Sequence, residues 1–306
     1  MRTIKSGGHT LFEQDRETAR VVSEMLADLE KNGMDAVRKY SVGFDGWDPP
    51  SFELDAREVE AAVAQLSEEA LRDTAYCQAN VRKFAEAQLA TLLPLEVEVR
   101  PGVVLGHRHI PVNSVGCYVP GGRYPMFGSA QMSIIPAKVA GVKSVVACTP
   151  PVKGQGSYPP PSQGGGGGRV EACCEHHPLP ALSLEGRGVG AYPATINAAA
   201  KAGADRIFVL GGVPALALMA FGLGGVEPVD ILCGAPNRFV TEAKRQLFGR
   251  VGIDLLAGPT EILVIADDAA DPALVACDLL GQAEHDPNTG VCLICLGEAF
   301  ARRTVA

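Results

Sequence analysis

The sequence predicts an α/β protein built on a mostly parallel, doubly wound sheet, with a helical N-terminal region ahead of it. Three observations carry this. From Ser114 onward, short Val- and Ile-rich runs alternate with helical patterns, as strands joined by crossover helices do. Glycines follow many of these segments, at Gly121, Gly141, Gly203 and Gly211-Gly212. The first ninety residues show helical periodicity instead.

Asp15 to Lys31 is amphipathic, and Gly33 supplies its C-terminal stop. Asp55-Ala-Arg-Glu58 has the spacing of a capping box and opens a helix to Leu66. Ser67-Glu-Glu opens a longer helix towards Leu92. Leu95 to Val119 alternates and is rich in Val and Ile, so it reads as strands turning at Pro101-Gly102 and Val112-Asn113. The α/β rhythm then begins with strand Val115–Tyr118, loop Val119-Pro-Gly-Gly122, helix Ser129–Val139 and strand Ser144–Cys148. It resumes with helix Pro193–Ala202, strand Arg206–Leu210, helix Val213–Phe221 and strand Val229–Leu232. Helix Phe239–Phe248, strand Glu261–Ala266, helix Pro272–Glu284 and strand Val291–Leu296 complete it. Ligands of such folds bind in loops beyond the C-terminal strand ends.

Residues 155–191 interrupt the rhythm. They hold five consecutive glycines (Gly164–Gly168), Pro159-Pro-Pro161 and no apolar period. A structureless loop of this length is foreign to a compact domain, so the segment reads as a disordered insertion. Its flanks echo each other, Gly156-Ser-Tyr-Pro159 before and Gly190-Ala-Tyr-Pro193 after.

A net charge of −8 and the lack of a basic run argue against nucleic-acid or anionic-membrane surfaces. No apolar stretch reaches membrane-spanning length, and Met1 to Thr10 has no apolar core of a signal peptide, so a cytoplasmic location is expected. Nine cysteines, mostly scattered through strand and helix patterns, read as reduced, buried thiols.

Chemistry concentrates at Gln282-Ala-Glu-His285. At helical i,i+3 spacing an amide oxygen and an imidazole project from one face, and both bind divalent cations. Two ligands do not close a zinc site, so further donors must come from elsewhere. Glu284 is placed to act as a base, although a lone Glu near a helix end is usually solvated. Gly258-Pro-Thr-Glu261 puts a hydroxyl and a carboxylate on a tight turn, which ordinary turn chemistry also explains. Tyr118-Val-Pro-Gly-Gly122 and Gly211-Gly212 let backbone approach a ligand closely, or simply turn the chain. His107 and His109 share one strand face, where a hydrogen-bonded pair is commoner than a metal site. Cys173-Cys-Glu-His-His177 mimics a ligand cluster, but its adjacent side chains do not converge on one tetrahedral ion.

Taken in order, five motifs carry a resemblance. They are Tyr118-Val-Pro-Gly-Gly122, Ile135-Pro-Ala-Lys-Val-Ala-Gly141, Asn237-Arg-Phe-Val-Thr-Glu-Ala-Lys-Arg-Gln246, Ala257-Gly-Pro-Thr-Glu-Ile-Leu-Val-Ile-Ala-Asp267 and Asp278-Leu-Leu-Gly-Gln-Ala-Glu-His285. The series resembles the histidinol dehydrogenase family over residues 10–298, excluding 155–191. The resemblance implies Rossmann-like domains and oxidation of a small alcohol through an aldehyde to a carboxylate, with NAD and zinc. It implies zinc and substrate contacts from Gln282 and His285, a substrate contact from Thr260, and NAD contacts from Tyr118 and Asn237. Pro214 stands where the family has a cofactor-contacting glutamine, and Gly234-Ala-Pro-Asn237 replaces Gly-Pro-Gly-Asn. The family layout implies an outer domain of residues 1–117 and 260–306, an inner domain of 118–259, and homodimers.

Family members run further than Ala306 and carry there a Glu-His acid/base pair and two more metal ligands. The chain as written is therefore expected to hold no catalytic acid/base residue and to turn over negligibly, with an inactive remnant as the alternative. Gly106-His-Arg-His-Ile-Pro-Val-Asn-Ser-Val-Gly-Cys-Tyr118, Leu247-Phe-Gly-Arg-Val-Gly-Ile-Asp254 and Thr260 resemble a branch that oxidises sulfopropanediol. In that branch Arg108 or Arg123 would face the sulfonate.

Overall fold

The structure, a computed structural model, describes residues 16–121, 125–152, 190–234, 237–256, 261–283 and 290–305. Thr260, Glu284, His285, Arg123, the 173–177 cluster and the glycine run lie outside the described residues. The chain divides into two compact units, one holding the described residues from 17 to 256 and the other Arg16 with those from 261 to 305, so that all of the first helix but its first residue falls in the larger unit.

The larger unit begins with helix α1 (Arg16–Asp45). Its buried Val22, Met25, Leu26, Leu29 and Val37 recur at helical spacing and face the core. Gly33 does not end this helix. It kinks it, with φ 57° and ψ −132°, and the helical path resumes to Asp45. The chain then hooks over the sheet edge, where Trp47 Nε1 donates to the Val209 carbonyl at 2.9 Å. Helix α2 (Ala56–Val63) has the expected capping box, in which Asp55 accepts from the Glu58 amide and Glu58 from the Asp55 amide. Helix α3 (Glu68–Leu89) is capped by Ser67. Strands β1 (Leu95–Arg100) and β2 (Val103–His107) form an antiparallel hairpin across the expected Pro101-Gly102 turn.

Next come β3 (Ser114–Tyr118), α4 (Phe127–Val139), β4 (Ser144–Thr149), α5 (Pro193–Ala202), β5 (Arg206–Val209) and α6 (Gly212–Phe221). Then follow β6 (Ile231–Cys233), α7 (Arg238–Leu247) and the two-residue β7 (Gly252–Ile253), which sequence reading did not find. The five strands β3 to β7 pair in parallel in the order β5-β4-β3-β6-β7. Successive residues of β3 and β4 feed opposite faces. Val115, Cys117, Val145 and Ala147 pack with Ile134 and Ile135 of α4 and with Ala198 and Ala202 of α5. Tyr118, Val146 and Cys148 pack with α6, α7 and α1 on the other face. Both faces are covered, which is why the strands read as continuous apolar runs. The segment from Val213 to Ala220 of α6 is wholly buried, as a helix apolar all round must be.

The smaller unit pairs β8 (Ile262–Ala266) with β9 (Val291–Cys295) in parallel, from Ile262↔Val291 to Ala266↔Cys295. The crossover includes α8 (Pro272–Ala283), and α9 (Glu298–Val305) follows β9. Phe300 of α9 is fully buried with Val275 and Ala266. No helix among the described residues is long and apolar enough to cross a membrane.

Candidate functional site at the carboxyl edge of the sheet

In the strand order β5-β4-β3-β6-β7 the chain winds one way from β3 and the other way from β6. The carboxyl ends of β3 and β6 therefore mark the topological switch point, where ligands of open parallel sheets bind. Four sequence-marked positions meet at this edge: Tyr118, Gly211-Gly212, Gly234 and Asn237.

Tyr118 is the last residue of β3 and is buried. Its hydroxyl oxygen accepts the Gly212 N–H at 3.1 Å, tying the β5–α6 turn to the end of β3. Burial pushes the phenol up to about 12, and the Asp45 carboxylate acts in the same direction. The side chain is a fixed, neutral hydroxyl at any physiological pH.

Gly234 follows β6 with φ +143°, a region open to glycine and strained for other residues. A β-carbon there would fall 2.1 Å from the Tyr118 carbonyl oxygen, so the β6–α7 turn lies directly on the end of β3. Asn237 caps α7, its Oδ1 accepting from the Phe239 amide at 3.1 Å and the Val240 amide at 3.0 Å. The residue is exposed, and its capping role leaves the two Nδ2 hydrogens for a ligand. Pro214 lies buried at the third position of α6. It withholds an N–H from the helix's open first turn without breaking the helix.

Lys244 and Asp254, which the sequence motifs do not single out, also lie at this edge, beside Gly234. Lys244 is only 1 % exposed and lies on the apolar face of α7 with Val240, Ala243 and Leu247. Its ammonium donates to the carbonyls of Gly234 and Leu255, each at 3.2 Å, and pairs with the Asp254 carboxylate. The other Asp254 oxygen accepts the Gly234 N–H at 2.8 Å. A signal was present in the sequence, because the four-residue spacing from Val240 puts a lysine among core positions.

Cys117 and Cys233 face each other in register on β3 and β6. Burial pushes their thiols up to about 12 and about 11, which removes nucleophilic character. β2 ends at His107, so His109 does not share its strand as expected; their rings meet edge to face with centroids 5.4 Å apart. Arg108 lies beside them, lining a shallow hollow with Glu96 and His107.

Gln282 belongs to the smaller unit, in the last turn of α8. It is the one member of the expected zinc pair among the described residues. Those residues bring no three His, Cys, Asp or Glu side chains together in a metal-binding group.

A family model described as histidinol dehydrogenase matches residues 11–160 and 186–306, and the match breaks inside the glycine-rich segment. A histidinol dehydrogenase homolog of Shouchella clausii is 49% identical over 287 residues, covering 94% of this chain and 59% of that protein. Sulfopropanediol 3-dehydrogenase of Ruegeria pomeroyi is 42% identical over 302 residues, covering 99% of this chain and 61% of that protein. The crystal structure of histidinol dehydrogenase from Elizabethkingia anophelis superposes with a TM-score of 0.78 at 28% identity, covering 97% of this chain and 60% of that one. The chain thus spans about three fifths of the length of these relatives. With the parallel sheet, its switch point and both matched blocks in agreement, the chain belongs to the histidinol dehydrogenase family, whose members are oxidoreductases acting on CH–OH groups.

Proposed function

We propose that the protein is a dehydrogenase that oxidises a small primary alcohol through the aldehyde to the carboxylate, with NAD as hydride acceptor. The observation that carries this is the convergence of Tyr118, Gly212 and Gly234 at the switch point, in a chain of this family. These residues fit a dinucleotide. Gly211-Gly212 and Gly234 present backbone with no side chain to this edge, and the exposed Asn237 adds an amide donor. Bound there, the nicotinamide supplies the two-electron acceptor.

The chain's own residues supply position. Tyr118 holds Gly212 through its hydroxyl and so sets the first turn of α6. Gly234 lets the chain leaving β6 rest on the Tyr118 carbonyl, three residues before Asn237. Thr260, Gln282 and His285 are proposed to face the alcohol, with Gln282 and His285 also proposed for zinc. Gln282 alone does not make a metal site, so no chemical step is assigned to the ion. The outer domain of residues 1–117 with 260–306, the inner domain of 118–259 and assembly as a homodimer belong to the same proposal.

A sulfonated diol is favoured over histidinol, on the Gly106–Tyr118 and Leu247–Asp254 motifs and the 42% identity to a sulfopropanediol enzyme. Family membership over both matched blocks favours the enzyme reading over an inactive remnant. The test is a fluorescence titration of the protein with NADH, followed by NAD reduction assays with sulfopropanediol and with histidinol. Saturable NADH binding that Asn237→Ala weakens supports the cofactor assignment. A folded protein that binds no NADH refutes it, and the preferred alcohol decides the branch.

A further inference from the structure

The geometry points to Lys244, acting with Asp254, as a positioning residue that clasps the proposed cofactor turn to the chain leaving β7; this rests on the dinucleotide reading above. A lysine buried to 1 % exposure is costly unless its charge is matched and its protons are used. Lys244 meets both conditions, and every group it uses lies on one of two loops. The Gly234 carbonyl belongs to the turn after β6, and Asp254 with the Leu255 carbonyl belongs to the segment after β7. The second Asp254 oxygen returns to the Gly234 N–H at 2.8 Å, so Gly234 is held from both its donor and its acceptor side.

A clasp of this form acts on both loops at once. Gly234 rests on the Tyr118 carbonyl and leads in three residues to Asn237. On the other side, Leu255 and Leu256 lead along the chain into Ala257-Gly-Pro-Thr260. One ion pair thus holds Gly234, after β6, and Leu255, after β7, to the same helix. Neither Lys244 nor Asp254 is assigned a contact with a reacting atom. Their part is to keep the register of the two loops, which helical packing of α7 alone would not set, since α7 is anchored apolarly through Val240, Ala243 and Leu247.

The test uses the whole 306-residue protein and its Lys244→Met and Asp254→Asn variants, with Asp55→Ala as a control for a stability loss far from the clasp. Asp254→Asn keeps an acceptor for Gly234 and removes only the charge, so it serves if Lys244→Met fails to fold. Hydrogen–deuterium exchange is followed without ligand, and NADH affinity by fluorescence. Expected are faster exchange in peptides covering both 230–239 and 252–256, and NADH binding about tenfold weaker, the loss of one charge-assisted hydrogen bond. Asp55→Ala is expected to lower the melting temperature and leave NADH affinity unchanged. Unchanged exchange in either segment overturns the clasp whatever NADH does. Faster exchange with wild-type NADH affinity overturns the positioning role and leaves the cofactor reading standing. A folded wild-type protein that does not bind NADH refutes the cofactor reading itself, and the positioning role with it.

Discussion

Gly234 shows how one backbone position constrains the site. Alanine there would combine a left-handed φ with a 2.1 Å approach to the Tyr118 carbonyl. Gly234→Ala is expected to cost on the order of 3 kcal/mol, read from the urea midpoint at unchanged slope. Tyr118→Phe leaves the ring and removes the acceptor of the Gly212 N–H, for a loss of about 1 kcal/mol. The same residues set an alkaline limit. Tyr118 is pushed from its ordinary value of 10.0 to about 12, Cys117 from 9.0 to about 12 and Cys233 from 9.0 to about 11. Between those values the unfolded chain releases protons that the folded chain keeps, so stability falls as pH rises from about 9 towards 12. A melting temperature that holds level from pH 8 to 10.5 would refute this. Motif order singles out Tyr118 and Asn237, which stand at the end of β3 and at the N-cap of α7. Lys244 was not singled out, because its role depends on carbonyls of two loops that only folding brings together.

Among the elements, the helices announced by capping chemistry read most clearly. Asp55 and Ser67 open α2 and α3 where their side chains and spacing predict, and α5 has the predicted bounds. Gly33 was misread, because a glycine that suits a helix end suits a kink equally well when tertiary packing carries the chain onward. Val37, beyond the kink, is fully buried and supplies that packing. The short β7 escaped notice because two residues show no period, and it forms only by pairing with β6. One element holds an evident stability reserve. In α5 the Thr195 hydroxyl is buried with no hydrogen-bond partner among the described residues. Thr195→Val keeps the shape and removes the orphaned group, so it is expected to stabilise by about 1 kcal/mol, measured by chemical denaturation.

At the scale of the whole molecule, the flanks of the glycine-rich segment are close together. The Val152 N–H donates to the Gly190 carbonyl at 2.8 Å, and the family match stops at 160 and restarts at 186. Gly190 and Ala191, expected within the insertion, are buried instead, so the deletion is narrowed to 161–185; it leaves twelve residues, 153–160 and 186–189, to join neighbouring ends, and loop closure entropy varies slowly with length. The deletion is expected to leave the thermal melt unchanged or raised by a few degrees; a loss of cooperative folding would show that the segment belongs to the core. By itself the sequence determined the α/β class, the caps, most strands and helices, and the family, because periodicity, capping and motif order are local properties of the chain. Only the tertiary structure decided the strand order that places β3 beside β6, and with it the meeting of Tyr118, Gly212, Gly234 and Lys244. Parallel strands are joined through crossovers that leave no local record of which neighbour they will pair with, so the switch point exists only once the sheet has formed.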